Sequence, residues 1–294
     1  MRRGTAARPR VLVLGGGPAG AAAALVLADA GAEVRVCERA AAPRWKPGEC
    51  LPPTVRPVLA RLGLADLLDD DAVHRQHLGN RFVWGAPEPG ERPTLAGVHG
   101  AGWHVDRRHF EEALASRAER AGVDWRWDAP WSADEDANSD RAPWNLVIDA
   151  TGRRAVYARH RGARRVMDDR LVGTVALLRS MTPSPDRFTL VESTPRGWWY
   201  AAGLSRGRLA LAFFTDGDLM TDALGDPQPG GSQLLVALAT AKSRLIGPRV
   251  AEHGYVLDPE QPSHAYPAVG GRRGAIATSG AEPDPPPRGA AGGA

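Results

Sequence analysis

The sequence predicts a mixed α/β fold, a parallel-sheet domain into which an antiparallel β-sheet domain is inserted. Three observations predict it. Val11-Leu12-Val13-Leu14 run straight into Gly15-Gly16-Gly17-Pro18-Ala19-Gly20, a G-x-G-x-x-G turn that opens a small-residue helix. A second strand, Glu33-Val34-Arg35-Val36-Cys37, then delivers an acid, Glu38, eighteen residues after Gly20. Residues 171–214 instead alternate apolar and polar positions between turn signals, as antiparallel strands do.

The opening unit is Rossmann-like. Pro18 starts the helix at a position whose N–H has no helical partner, and Gly31 ends it. Gly15 permits the tight turn, Gly17 lets the backbone approach a pyrophosphate, and Gly20 brings helix and strand together. The helix N-terminus supplies unpaired N–H groups and a positive dipole, and Glu38 can accept hydrogen bonds from a ribose diol. This unit is expected to bind a dinucleotide, with Gly15, Gly17, Pro18, Ala19, Gly20, Glu38 and Arg39 around it.

A Pro-punctuated loop over 43–53 precedes a helix expected over 54–68, with Val55, Val58, Leu59, Leu62 and Leu67 as its buried stripe. Asp69-Asp70-Asp71 reads as the exposed exit of that helix rather than a metal site. Residues 81–84 and 102–105 read as short strands. Asp106 caps a helix over 107–121, with Phe110, Ala113, Leu114 and Ala118 inward and Gly122 past its end. A strand over 123–127 and a polar turn at 138–140 follow. Leu146-Val147-Ile148 reads as a central parallel strand leading into Asp149-Ala150-Thr151-Gly152. After the alternating strands comes a helix near 233–242. From Glu282 the chain is almost entirely Pro, Gly and Ala, which cannot build a core.

The 294 residues carry a net charge of only +3, with arginines scattered and no nucleic-acid motif among them, so no nucleic-acid partner is expected. No apolar run approaches the roughly 20 residues that span a bilayer, so no membrane partner is expected either. Cys37 and Cys50 form no metal pattern; they point to a reducing compartment and a cytoplasmic location.

These landmarks resemble the flavin-dependent monooxygenase and halogenase superfamily, FAD-dependent oxidoreductases with a glutathione-reductase-type FAD domain. The similarity is carried by the N-terminal unit, by Lys46-Pro47-Gly48-Glu49-Cys50-Leu51-Pro52-Pro53 before a helix ending in Leu62-Gly63-Leu64, by Gly102-Trp103-His104-Val105-Asp106-Arg107, by Asp149-Ala150-Thr151-Gly152-Arg153-Arg154 and by Gly197-Trp198-Trp199-Tyr200. Within that superfamily the chain is most similar to the halogenase-like flavoproteins that mature quinone cofactors in amine and amino-acid oxidases.

The resemblance implies FAD as cofactor. Gly15, Gly17 and Gly20 would hold its pyrophosphate, Glu38 its ribose, and Arg107 a phosphate or ribose oxygen; Gly48 and Glu49 would lie near the isoalloxazine, Asp149 and Gly152 beside the adenosine half. The residues leave plainer readings open: Arg107 neutralising Glu111 four positions on, Glu49 capping its loop, Trp198 and Trp199 as sheet core. The implied reaction is hydroxylation of an electron-rich aromatic group, tryptophan- or phenol-like, through a flavin C4a-hydroperoxide, on a small molecule or a peptide-borne side chain. Only one nucleotide fingerprint is visible, so NAD(P)H is expected to serve either directly or through a partner flavin reductase. Halogenation, prenyl or lipid reduction, and an inactive fragment are the alternatives.

Two departures matter. Halogenases of this kind carry a lysine just before the strand that corresponds to residues 78–83; here the position is His77, which disfavours halogenation and offers an acid–base group instead. After residues 274–277 the superfamily has a G-D segment and a helix; this chain reads Thr278-Ser279-Gly280-Ala281-Glu282 and then the Pro-rich tail, so its C-terminal part is expected to be incomplete. The expected division is a discontinuous FAD-binding domain over 8–75, 100–165 and 255–282, a substrate domain over 76–99 and 166–254, and a disordered tail over 283–294.

Overall fold

The computed structural model describes residues 8–94, 98–133, 143–164, 166, 171–219, 231–259 and 264–266. The expected turn at 138–140, the strand at 274–277 and the tail lie outside them. The chain begins with β1 (Arg10–Leu14), α1 (Pro18–Asp29) and β2 (Glu33–Cys37). The short strand β3 (Cys50–Leu51), α2 (Val55–Arg61), β4 (His74–His77), β5 (Gly79–Val83) and β6 (Gly90–Pro93) follow. Next come β7 (Gly102–Val105), α3 (Arg107–Arg120), β8 (Asp124–Arg126), β9 (Leu146–Asp149) and the short α4 (Val156–His160). Four long strands, β10 (Leu171–Arg179), β11 (Phe188–Thr194), β12 (Gly197–Gly203) and β13 (Arg208–Asp216), precede α5 (Gly231–Lys242), α6 (Ile246–Glu252), β14 (Val256–Leu257) and β15 (His264–Tyr266).

β8, β2, β1 and β9 form a parallel sheet in that order. Its apolar strands pack on α1 and α3 through Val13, Leu25, Val36, Phe110 and Leu114, all buried. β9 was expected at the centre; among the described residues it is the terminal strand, paired only with β1, and Leu146 is exposed. The second sheet runs β14-β10-β13-β12-β11-β5-β6, with β15 also on β10. Its alternation sorts two faces: Ala176, Leu178, Leu211 and Phe213 pack on α5 and α6, while Val175, Leu177, Ala210 and Ala212 pack on Trp45. A third sheet of three short strands, β3-β7-β4, is drawn from the segment between β2 and β8.

The helix expected over 54–68 stops at Arg61. Gly63, at φ +70°, closes it: its N–H meets the Ala60 carbonyl and the Leu64 N–H meets the Leu59 carbonyl. This Schellman arrangement halts the helix although the apolar spacing continues beyond it. Val58, placed in the buried stripe by its spacing, is 53 % exposed, and Ala115 rather than Ala113 completes the buried face of α3.

Candidate dinucleotide site

The carboxyl ends of β1 and β9 open on a cleft of about 720 Å³. Backbone geometry makes its floor. Gly15 sits at φ +99°, and a Cβ there would lie 2.5 Å from the Ala150 carbonyl oxygen. A Cβ on Gly20 would lie 1.9 Å from the Gly15 carbonyl oxygen, so α1 approaches the turn as closely as backbone allows. Gly17 differs: a Cβ there would meet nothing within 4 Å. Its emptiness faces the cleft, beside Pro18 and Ala19 at the N-terminus of α1. Glu38 and Arg39 line the same cleft. The Glu38 carboxylate already accepts the N–H groups of Gly16 at 2.7 Å and Ala40 at 2.9 Å, which holds it over the glycine turn.

The opposite wall is charged and braced. Glu111, 3 % exposed on α3, pairs with Lys46 at 2.6 Å and Arg107 at 2.5 Å. Arg107 also donates to the carbonyls of Pro47 and Gly48, at 3.0 and 3.1 Å, so it neutralises Glu111, as one sequence reading had it, while lining the cleft. Gly152 lines it with Thr151, Arg153 and Arg154. Asp149 stands behind that loop. Burial works to raise its carboxyl, but hydrogen bonds from Thr151 and the Ala158 N–H bring it below the usual carboxylate range. Val175 and Phe214 of the antiparallel sheet close the cleft on its apolar side. Trp198 stacks on Phe214 at 4.1 Å on that face, whereas Trp199 is 2 % exposed and packs with Phe213 in the core beneath α5 and α6.

Four sequence-expected residues fall outside the cleft lining: Gly20, packed against Gly15, Asp149, behind the Thr151 loop, and Glu49 and His77, which lie deeper. Glu49 is 3 % exposed; its carboxylate accepts the Gly48 N–H at 2.8 Å and is hydrogen-bonded to the buried Tyr200 hydroxyl, whose pKa burial pushes well up. His77 is 4 % exposed, and burial pushes its imidazole below the usual histidine range. The sequence also offered no metal pattern, yet half-buried Cys50 and the buried His77 and His104 meet in one cluster. Gaps of 27 residues on either side of His77 hide it from any spacing rule. Nor did the sequence assign Lys46 or Phe214 to the cofactor site; their place on the cleft depends on which face each strand and loop turns inward.

An FAD molecule fits these residues. Gly17 leaves the space that a pyrophosphate needs at a helix N-terminus, and the buried Arg107 Nε and Trp131 Nε1 on the cleft wall have no hydrogen-bond partner among the described residues.

The FAD binding domain family matches residues 8–156. The putative FAD-dependent oxidoreductase LodB of Marinomonas mediterranea is 29 % identical over 226 residues, covering 72 % of this chain and 61 % of that protein. The tryptophan 2-halogenase of Chondromyces crocatus is 30 % identical over 167 residues, covering 51 % of this chain and 31 % of that protein. This chain thus spans under two thirds of either relative. Among solved structures, the myxobacterial chondrochloren halogenase CndH superposes with a TM-score of 0.70 at 22 % identity, over 88 % of this chain and 64 % of that one. A flavoprotein/dehydrogenase from Cytophaga hutchinsonii reaches 0.69 at 22 % identity, over 88 % and 66 %. At such identities these two show a shared fold.

Proposed function

This chain belongs to the FAD binding domain family, within the flavin-dependent monooxygenase and halogenase superfamily, and from that premise we propose that it hydroxylates an electron-rich, tryptophan- or phenol-like aromatic group. The observation that carries the reading is the cleft itself, a glycine cradle on one side and an apolar, aromatic sheet face on the other. When bound, FAD supplies the redox and oxygen chemistry. The protein's part is to bind, orient and keep dry. Gly15, Gly17, Pro18, Ala19 and Gly20 would hold the pyrophosphate, Glu38 and Arg39 the ribose end, and Gly152 with the Asp149-braced loop the adenosine half. Arg107, fixed between Glu111 and the Pro47 and Gly48 carbonyls, would keep Gly48 and Glu49 beside the flavin ring. Val175 and Phe214 would exclude water from the reacting face, and an aromatic substrate would pack on them.

Hydroxylation is preferred to halogenation because His77 stands where the family resemblance implies a lysine, and this histidine is buried and held low in basicity. We assign cofactor binding to 8–75, 100–165 and 255–282, and substrate binding to 76–99 and 166–254. Electrons would come from NAD(P)H, used directly or through a partner flavin reductase. The test supplies reduced flavin, oxygen, bromide and an indole or phenol, and reads product mass. Hydroxylated product is expected; a halogenated product would overturn the reading.

A further inference from the structure

The three-stranded sheet gathers a second set of reactive side chains, outside the cleft. Cys50 on β3, His77 on β4 and His104 on β7 each offer a donor atom within 4.8 Å of the other two. Strand register builds the cluster: Cys50 lies opposite His104, and His77 opposite Gly102, where a Cβ would crowd His77 Nδ1 to 3.0 Å. The two imidazoles are 4 % and 0 % exposed, their centroids 4.7 Å apart, and the Cys50 sulfur lies 3.9 Å from His77 Nδ1.

Two details set the cluster apart from packed core histidines. His104 Nδ1 lies 3.0 Å from the Gly203 carbonyl, which can only accept. The ring proton therefore sits on Nδ1 and the lone pair on Nε2, the tautomer and outer partner that metal-bound histidines have. His77 turns Nδ1 toward the Cys50 sulfur, and glycine at position 102 opposite leaves that nitrogen uncrowded.

We propose that Cys50, His77 and His104 bind one Zn²⁺ ion. One sulfur and two imidazole nitrogens suit a borderline-soft ion and not Mg²⁺ or Ca²⁺. On binding, the Cys50 thiol gives its proton to solvent and the thiolate bonds the metal. Bonds of about 2.3 Å to sulfur and 2.0–2.1 Å to nitrogen require the donors, now up to 4.8 Å apart, to draw together to roughly 3.5 Å. The Thr189 hydroxyl, 2.8 Å from His104 Nε2 and 3.9 Å from the sulfur, or a water is left for the fourth position. Cys50 lies two residues beyond Gly48, so the ion would be a structural pin that holds the cleft loop to β7. It stands whether or not the hydroxylation reading does.

The experiment uses the full chain stripped by chelator and titrated with Co²⁺, then Zn²⁺, followed as difference spectra against the metal-free protein. One equivalent should bind, with a thiolate-to-cobalt charge-transfer band in the near ultraviolet that Zn²⁺ displaces. Cys50→Ser should remove the band and weaken binding by at least about tenfold. His77→Asn should weaken it similarly, and Cys37→Ser should keep the band. Cys50→Ser is small enough to keep the fold, checked by circular dichroism and by melting in chelator. Absence of the band in the parent, or parent-like affinity in Cys50→Ser, overturns the proposal.

Discussion

His74 shows how one side chain couples burial to pH. It is 1 % exposed and its Nδ1 accepts the Asp106 N–H at 3.2 Å, so it is neutral in the fold. Burial lowers its pKa from 6.5 to about 4, against the pull of Asp106 and Asp70 and with some help from His109. The unfolded chain takes up a proton near pH 6.5 while the folded chain does not until about pH 4. Stability from this residue is therefore whole above pH 6.5 and falls with pH by about 1.4 kcal/mol per unit, roughly 3 kcal/mol by pH 4. His74→Asn keeps an acceptor and cannot titrate; urea midpoints measured from pH 7 to 4 should fall less steeply in it than in the parent, and parallel slopes would refute the assignment. At this scale the sequence was legible where the partner is local. Asp106 caps α3 as its position indicated, accepting from the Arg108 and His109 N–H groups, and Arg107 meets Glu111 one turn on. It was illegible for Cys50, His77 and His104, which only strand register brings together.

Single elements read well where backbone chemistry is written in the sequence. The βαβ unit from β1 to β2 formed as the glycine spacing required, and its three glycines are separable by experiment. Gly17 has extended backbone, φ −70° and ψ −179°, with open space where a side chain would go. Gly17→Val should thus fold normally and copurify without flavin, read from visible absorbance and circular dichroism. Gly20→Ala is the opposite case, since the added methyl would overlap the Gly15 carbonyl. It should cost about 1–3 kcal/mol in chemical denaturation by overpacking. If Gly17→Val keeps its flavin, the cradle is elsewhere. The α2 helix misled because apolar periodicity continued across Gly63, and a left-handed glycine stops a helix whatever the stripe beyond it. The long strands were legible from alternation; which face met the cleft depended on where α5 and α6 pack.

Across the whole molecule, the parallel and antiparallel sheets are tied by Asp106, at the start of α3, and Arg208, on β13, 2.5 Å apart and nearly buried. Burial alone would raise the Asp106 carboxyl; the hydrogen bond and charge of Arg208 outweigh it and bring the pKa down to about 2. Arg208→Met removes one partner and leaves a carboxylate buried, so roughly 3 kcal/mol of stability should be lost in urea titrations at neutral pH. A loss well under about 1 kcal/mol would mean the sheets are held by packing alone. The pairing of β1 with β9 carries a consequence for biosynthesis. Leu14 meets Asp149, 135 residues later, along an edge that no nearer segment fills among the described residues. At roughly 5–20 residues per second, the ribosome leaves that edge of β1 bare for roughly 7–27 s after the strand itself is made. Through that interval an apolar strand with open N–H and C=O groups sits in a crowd of other nascent chains. Its yield in a cell should therefore follow translation speed and chaperone supply more closely than the stability of the finished fold.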